Sequence, residues 1–140
     1  MIGSIITKII VRKAFNSLSR HDLKSFLSGW RDDSTFIYPG YIPASGTYKG
    51  KADIEKWFVK FLEQFPEIRF QIKNICVDNI FDLTGTNTVA VHWGIDLTNR
   101  DGKKVHNCGF TMIKLRLGKA YFIQDFFFDM EKILKESWGI

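Results

Sequence analysis

Cysteine is scarce: the 140 residues contain two, Cys76 and Cys108, and neither has a second cysteine at CxxC or CxxxC spacing. A zinc site or a redox dithiol has no framework to build on. Both read as small core or interface residues of a protein held in a reducing compartment. The three histidines, His21, His92 and His106, follow no recognised spacing, whereas a metal site needs about three converging ligands. No metal and no cofactor is expected. No serine sits in GxSxG, and neither cysteine has a histidine in a recognised motif, so a nucleophilic triad is not read from the sequence.

Long apolar runs and blocks of one charge are also lacking. Met1 to Val11 is apolar but Lys8 interrupts it, no small-residue cleavage site follows, and no stretch reaches the roughly 20 residues that span a bilayer. A cytoplasmic protein without membrane contact is the expectation. The net charge of +5 comes from Lys and Arg scattered among Asp and Glu, not from a basic block that tracks phosphates. Nucleic acid is therefore not an expected partner.

Aromatic side chains are plentiful, 15% of the chain with 13 Phe, and they fill cores, pockets and interfaces with large rigid surfaces. The length suits one domain over residues 1–140. Ile5, Ile6, Ile9, Ile10, Ala14 and Leu18 recur at helical spacing and predict an amphipathic helix over residues 3–19. Ser19 or Asp22 caps a short second helix through Leu23, Phe26 and Leu27, ending near Gly29. Thr35 to Tyr38 and Thr47-Tyr48 read as short strands around a loop punctuated by Pro39-Gly40, Pro43 and Gly46. Ile54, Trp57, Phe58, Phe61 and Leu62 mark a third helix over residues 51–65, stopped by Pro66. From Ile68 the apolar period becomes two, and turns at Asn99 to Gly102 and Leu117 to Lys119 divide the C-terminal half into about four antiparallel strands. The order α-α-β-β-α-β-β-β-β predicts an α+β fold, a cone-shaped curved sheet, mainly antiparallel, wrapped around helices with a central apolar pocket.

Four segments carry a resemblance. They are Asp32-Asp33 entering the first strand, Gly46-Thr47-Tyr48-Lys49-Gly50-Lys51 before Ile54, Asp101-Gly102-Lys103 in a hairpin, and Gly118-Lys119 before a strand closing on Asp125-Phe126-Phe127-Phe128-Asp129. In this order the chain resembles the ketosteroid isomerase, SnoaL-like cyclase and limonene epoxide hydrolase group, the nuclear transport factor 2-like superfamily. Folds of this kind host isomerases, dehydratases, hydrolases, cyclases and proteins without catalysis, so the activity has to be read from the site.

On the strand from Val89 to Leu97 the odd positions are apolar while His92, Gly94, Asp96 and Thr98 are small or polar. By analogy with the epoxide hydrolases the even face is assigned to the cavity. The resemblance then lays Asp96 on one hydrolase Asp and Asp125 on the other, with Gly94 where the Arg between them would stand. Two close carboxylates repel, and without that cation epoxide hydrolysis is disfavoured. The extra Phe between Asp125 and Asp129 leaves their registration open by one residue, and a bulge could absorb it.

The expected chemistry is proton transfer on a hydrophobic carbonyl compound, of isomerase, cyclase or lyase type. The candidates are Asp125 or Asp96 as base, Tyr38 or Tyr48 as hydrogen-bond donor to the oxyanion, and His92 as a titrating group. Phe15, Trp57, Phe58, Phe61, Phe65 and Phe127 are expected to wall the pocket around a small hydrophobic ligand. The strand with His106 is apolar on both faces, and its side is left open. Trp93, Phe110 and Met112 are expected on the outer face of the sheet, where the resemblance implies a homodimer. The alternative is a non-catalytic binding or interaction module whose carboxylates face water.

Overall fold

Val11, Phe15 and Leu18 fall on one stripe at steps of four and three, and they are the buried face of helix α1, Ile2–Ser19. The computed structural model describes residues 1–140. Ile5, Ile6 and Ile9, read above as part of the core stripe, lie on another side of this helix and are exposed. The sheet takes the stripe that carries Phe15, whose ring meets Phe70 edge-on at 4.9 Å between centroids. Asp22 accepts from the Ser25 backbone N–H and caps α2, Leu23–Ser28.

Six strands follow the order β2-β1-β6-β5-β4-β3. They are β1 Trp30–Tyr38, β2 Gly46–Lys49, β3 Glu67–Val77, β4 Asn87–Thr98, β5 Lys104–Arg116 and β6 Lys119–Phe127. All neighbours are antiparallel except β1 and β6, which run parallel, so the sheet is mixed. Helix α3, Lys51–Gln64, lies against β1 and buries Ile54, Trp57, Phe58 and Phe61. A short helix absent from the sequence reading, α4, Ile133–Ser137, packs against β5. Its Ser137 carbonyl accepts from Gln64 and Asn99 side chains, tying α3 and the β4–β5 turn together.

Two bulges set which residues face the helices. In β5–β6 the pairing steps from Lys114↔Phe122 to Leu115↔Ala120, so Tyr121 is an extra residue. That insertion turns Ile123, Asp125 and Phe127 inward; without it the alternation from Ala120 would send them out. In β3 the pairing steps from Ile72↔Trp93 to Asn74↔His92, with Lys73 extra, which explains why the inward residues pass from Ile72 to Ile75. The registration of the C-terminal motif is therefore fixed before its phenylalanines. Asp129 lies past β6 and accepts from the Lys132 and Ile133 backbone N–H groups, outside the pocket. No helix is long and apolar enough to cross a membrane.

Candidate active site

The concave face of the sheet and helices α1 to α3 enclose a cavity of about 110 Å³, far above the roughly 10–15 Å³ that one water needs. Of its 25 lining residues 21 are hydrophobic, so a charge inside has few groups to solvate it. Phe15, Trp57, Phe58, Phe61 and Phe127 line it as expected, and so does Tyr38. Phe65 is fully buried behind them against Trp138, and Tyr48 lies outside, its hydroxyl donating to the Ala44 carbonyl at 2.8 Å. Tyr48 is thus spent on its own loop, which corrects its assignment to the pocket.

Asp125 is the one carboxylate in the lining. Its Oδ1 accepts from the Thr111 hydroxyl at 2.6 Å, and that hydroxyl accepts from Trp93 Nε1 at 2.9 Å. Oδ2 accepts no hydrogen bond, yet no buried side-chain polar atom is without a partner, so Oδ2 keeps accessible surface on a residue that lines the cavity. Burial among apolar groups pushes the carboxyl up to about 7, against the opposing pull of the Thr111 hydrogen bond. Tyr38 lies in the same lining, 5.6 Å from the Phe127 ring between centroids, and its oxygen accepts from Trp138 Nε1 at 3.0 Å. Its own O–H meets no protein acceptor. Burial, and to a smaller degree the Asp125 charge, raises its phenol above the ordinary range, so it stays a neutral donor.

Trp93, Thr111 and Asp125 come from β4, β5 and β6. Trp93 is almost wholly buried, which corrects its placement on the outer face. Its indole crosses β5 above Gly109, where a Cβ would stand 2.9 Å from the Trp93 ring. A Cβ at 109 would also run into the Phe126 backbone carbonyl, so glycine serves both the β6 backbone and the indole here. The odd positions of β4, Val89, Val91, Trp93, Ile95 and Leu97, face the core, so the assignment of the even face to the cavity is reversed. In a cone filled by helices, the apolar face is the one to be covered. Asp96 therefore lies on the outer face, half exposed, bound to His106 and Gln71. His92 lies there too, stacked on Phe110 at 4.8 Å between centroids. Neither shares the cavity with Asp125. The side of His106, left open above, is the outer one. Thr111, a residue the sequence reading passed over, faces in at the i, i+2, i+4 positions of β5 beside Gly109 and Asn107.

A family model for the SnoaL-like domain matches residues 11–123. No curated protein matches. Among solved structures, Bal32a from a soil-derived mobile gene cassette is similar at 16% identity, covering 94% of this chain and 95% of its own, with a TM-score of 0.78. A protein with a ketosteroid isomerase-like fold from Catenulispora acidiphila, in complex with trimethylamine, has 13% identity, 91% of each chain covered and a TM-score of 0.72. TerC, co-crystallised with polyporic acid, has 19% identity, 84% of this chain and 88% of its own covered and a TM-score of 0.69. At these identities the likeness speaks for the fold alone. By the match over residues 11–123, this chain belongs to the family of SnoaL-like domains and has the nuclear transport factor 2-like fold.

Proposed function

We propose that the protein is a cofactor-independent enzyme that moves a proton on a small hydrophobic carbonyl compound, with Asp125 as general base and acid. The observation that carries this reading is a carboxylate with one oxygen, Oδ2, free of hydrogen bonds in the lining of an otherwise apolar cavity, surroundings in which burial pushes the carboxyl up to about 7. Oδ2 takes a proton from the carbon next to the carbonyl, the C–H electron pair moves into the enolate, and the Tyr38 O–H supports the oxygen that gains charge. Return of the proton to another carbon gives isomerisation; attack by the enolate carbon gives ring closure; loss of a β-substituent gives elimination. Relatives in fold that hold trimethylamine or polyporic acid support a small organic ligand.

The test is a panel of monocyclic ketones and enones, sized to a cavity of about 110 Å³, followed by NMR for deuterium uptake next to the carbonyl. A turned-over ketone should lose about 10²–10⁴-fold in kcat with Asp125→Asn. Ketones that bind in the cavity and exchange no proton would leave a binding module as the function.

A second reading concerns assembly. Phe110 on β5, Phe126 on β6 and Phe128 just past β6 are exposed, with Phe110 and Phe128 5.7 Å apart between centroids. We infer that a second copy of the chain covers this patch, since contiguous exposed aromatics favour a partner. Sedimentation of the parent and of Phe126→Lys tests it.

A further inference from the structure

A second cluster of reactive groups lies on the outer face, unused by the cavity chemistry. Cys108 Sγ stands 3.6 Å from His106 Nε2, and His106 Nδ1 stands 2.7 Å from Asp96 Oδ1. The other carboxylate oxygen accepts from Gln71 Nε2 at 2.7 Å, and Lys73 Nζ lies 3.7 Å from the same sulfur. The His106 hydrogen bond, with a smaller part from Gln71, holds Asp96 below the usual carboxylate range. An ionised carboxylate only accepts, so the ring carries a proton on Nδ1, and in its neutral form it turns the Nε2 lone pair to the thiol.

The register assembles this set. Asp96 pairs with His106, Gly94 with Cys108 and Gln71 with Gly94, so the cluster is built across three strands. Gly94 clears the space for it: a Cβ there would stand 2.9 Å from Gln71 Oε1 and 3.3 Å from His106 Cε1. The bulge residue of β3 is Lys73 itself. In the single chain the His106 and Asp96 side chains are 56% and 50% exposed and Cys108 is partly exposed, so the thiol is reached from solvent provided that a second copy seated on Phe110, Phe126 and Phe128 leaves this part of the face open. Cys76, by contrast, is exposed and makes no side-chain hydrogen bond, which supplies a control in the same molecule.

We propose that Cys108 is a nucleophilic thiol with His106 as its base and Asp96 as a positioning residue, and that it takes an anionic low-molecular-weight disulfide. Lys73 beside the sulfur, and Arg69 beside Asp96, supply the positive charge that draws carboxylates. Sγ gives its proton to His106 Nε2 and attacks one sulfur of the disulfide. A new S–S bond forms, the old one breaks, and its electron pair leaves on the second sulfur, which recovers the proton from His106. The low-molecular-weight disulfide is itself the oxidant: Cys108 is oxidised to the mixed disulfide and one half of the ligand leaves reduced, as a thiol. The site is separate from Asp125, so its failure leaves the reading of the cavity untouched.

The test is alkylation of the folded protein by iodoacetamide at pH 7, followed by peptide mass spectrometry at Cys108 and Cys76, with oxidised glutathione as the disulfide probe. Cys108 should react at least about ten times faster than Cys76 and form the mixed disulfide, reversibly with reductant. His106→Gln should bring the two rates together. Asp96→Asn should lower the Cys108 rate without changing that of Cys76, and Asp96→Glu should restore part of it. A Cys108 rate at or below that of Cys76 overturns the proposal, whether the face is covered by a second copy or the sulfur is inert. So does an unchanged ratio in His106→Gln.

Discussion

The Thr111 hydroxyl donates to Asp125 Oδ1 at 2.6 Å while its oxygen accepts at 2.9 Å from Trp93 Nε1, a group that can only donate. In the ionised state this hydrogen bond engages Oδ1 and leaves Oδ2 without a donor, so Oδ2 is the oxygen free to take a proton.

Thr111→Val keeps the shape and removes that donor. The Trp93 N–H loses its partner in a buried place, at a cost of about 1–3 kcal/mol in thermal or denaturant unfolding. The same change removes the one hydrogen bond that favours the ionised carboxylate, so the Asp125 midpoint should move higher still. Unchanged stability together with an unchanged midpoint would contradict the relay.

Asp125 itself should weaken the fold at alkaline pH. Its folded-state midpoint is raised, so between about pH 4 and pH 7 the folded protein binds more protons than the unfolded chain and stability falls as pH rises. Asp125→Asn, neutral and nearly isosteric, escapes that loss. It should be more stable than the parent at pH 8 by between about 2 and 4 kcal/mol, with water entering the cavity favouring the lower figure, and near parity at pH 4. Calorimetry at the two pH values reads both. A variant less stable than the parent at pH 8 would mean that the ionised carboxylate is well solvated.

Activity on any ketone that the panel identifies should follow the same carboxyl. A base must be ionised to act, so kcat/KM should rise with pH through about 7 and level off above it. Tyr38→Phe should lower kcat while leaving that midpoint nearly in place, since it removes the support of the oxyanion and not the base.

Phe126→Lys places a charge in the exposed aromatic patch on the outer face. It should convert a sedimenting dimer to monomer without loss of secondary structure. A parent that sediments as a monomer would dismiss the second copy.

The residue pattern carried the fold well because the period of the apolar residues changes sharply, from helical in Ile54 to Leu62 to alternating in Val89 to Leu97. It carried the aromatic wall too, since Trp57, Phe58 and Phe61 have one helical face on which to lie. Which face of β4 turns inward was also legible from alternation, and the analogy with a catalytic Asp on that strand misdirected it. Asp125 was found, but its inward direction depends on the Tyr121 bulge, which alternation does not announce. Helix α4 escaped because five residues leave little periodicity, although Asp129, which accepts from the Lys132 and Ile133 N–H groups in the turn leading into it, was a signal. His106 and Cys108 stand two apart on one strand, hence on one face; the reading looked for motifs and not for that spacing.

The most direct test of the account is the titration of the Asp125 carboxyl by carbon NMR on aspartate-labelled protein, with Asp125→Asn to assign the signal. One aspartate signal, absent from the variant, should titrate with a midpoint near 7. A midpoint near 4 for that signal would place the carboxyl in water and remove the base from the proposed chemistry.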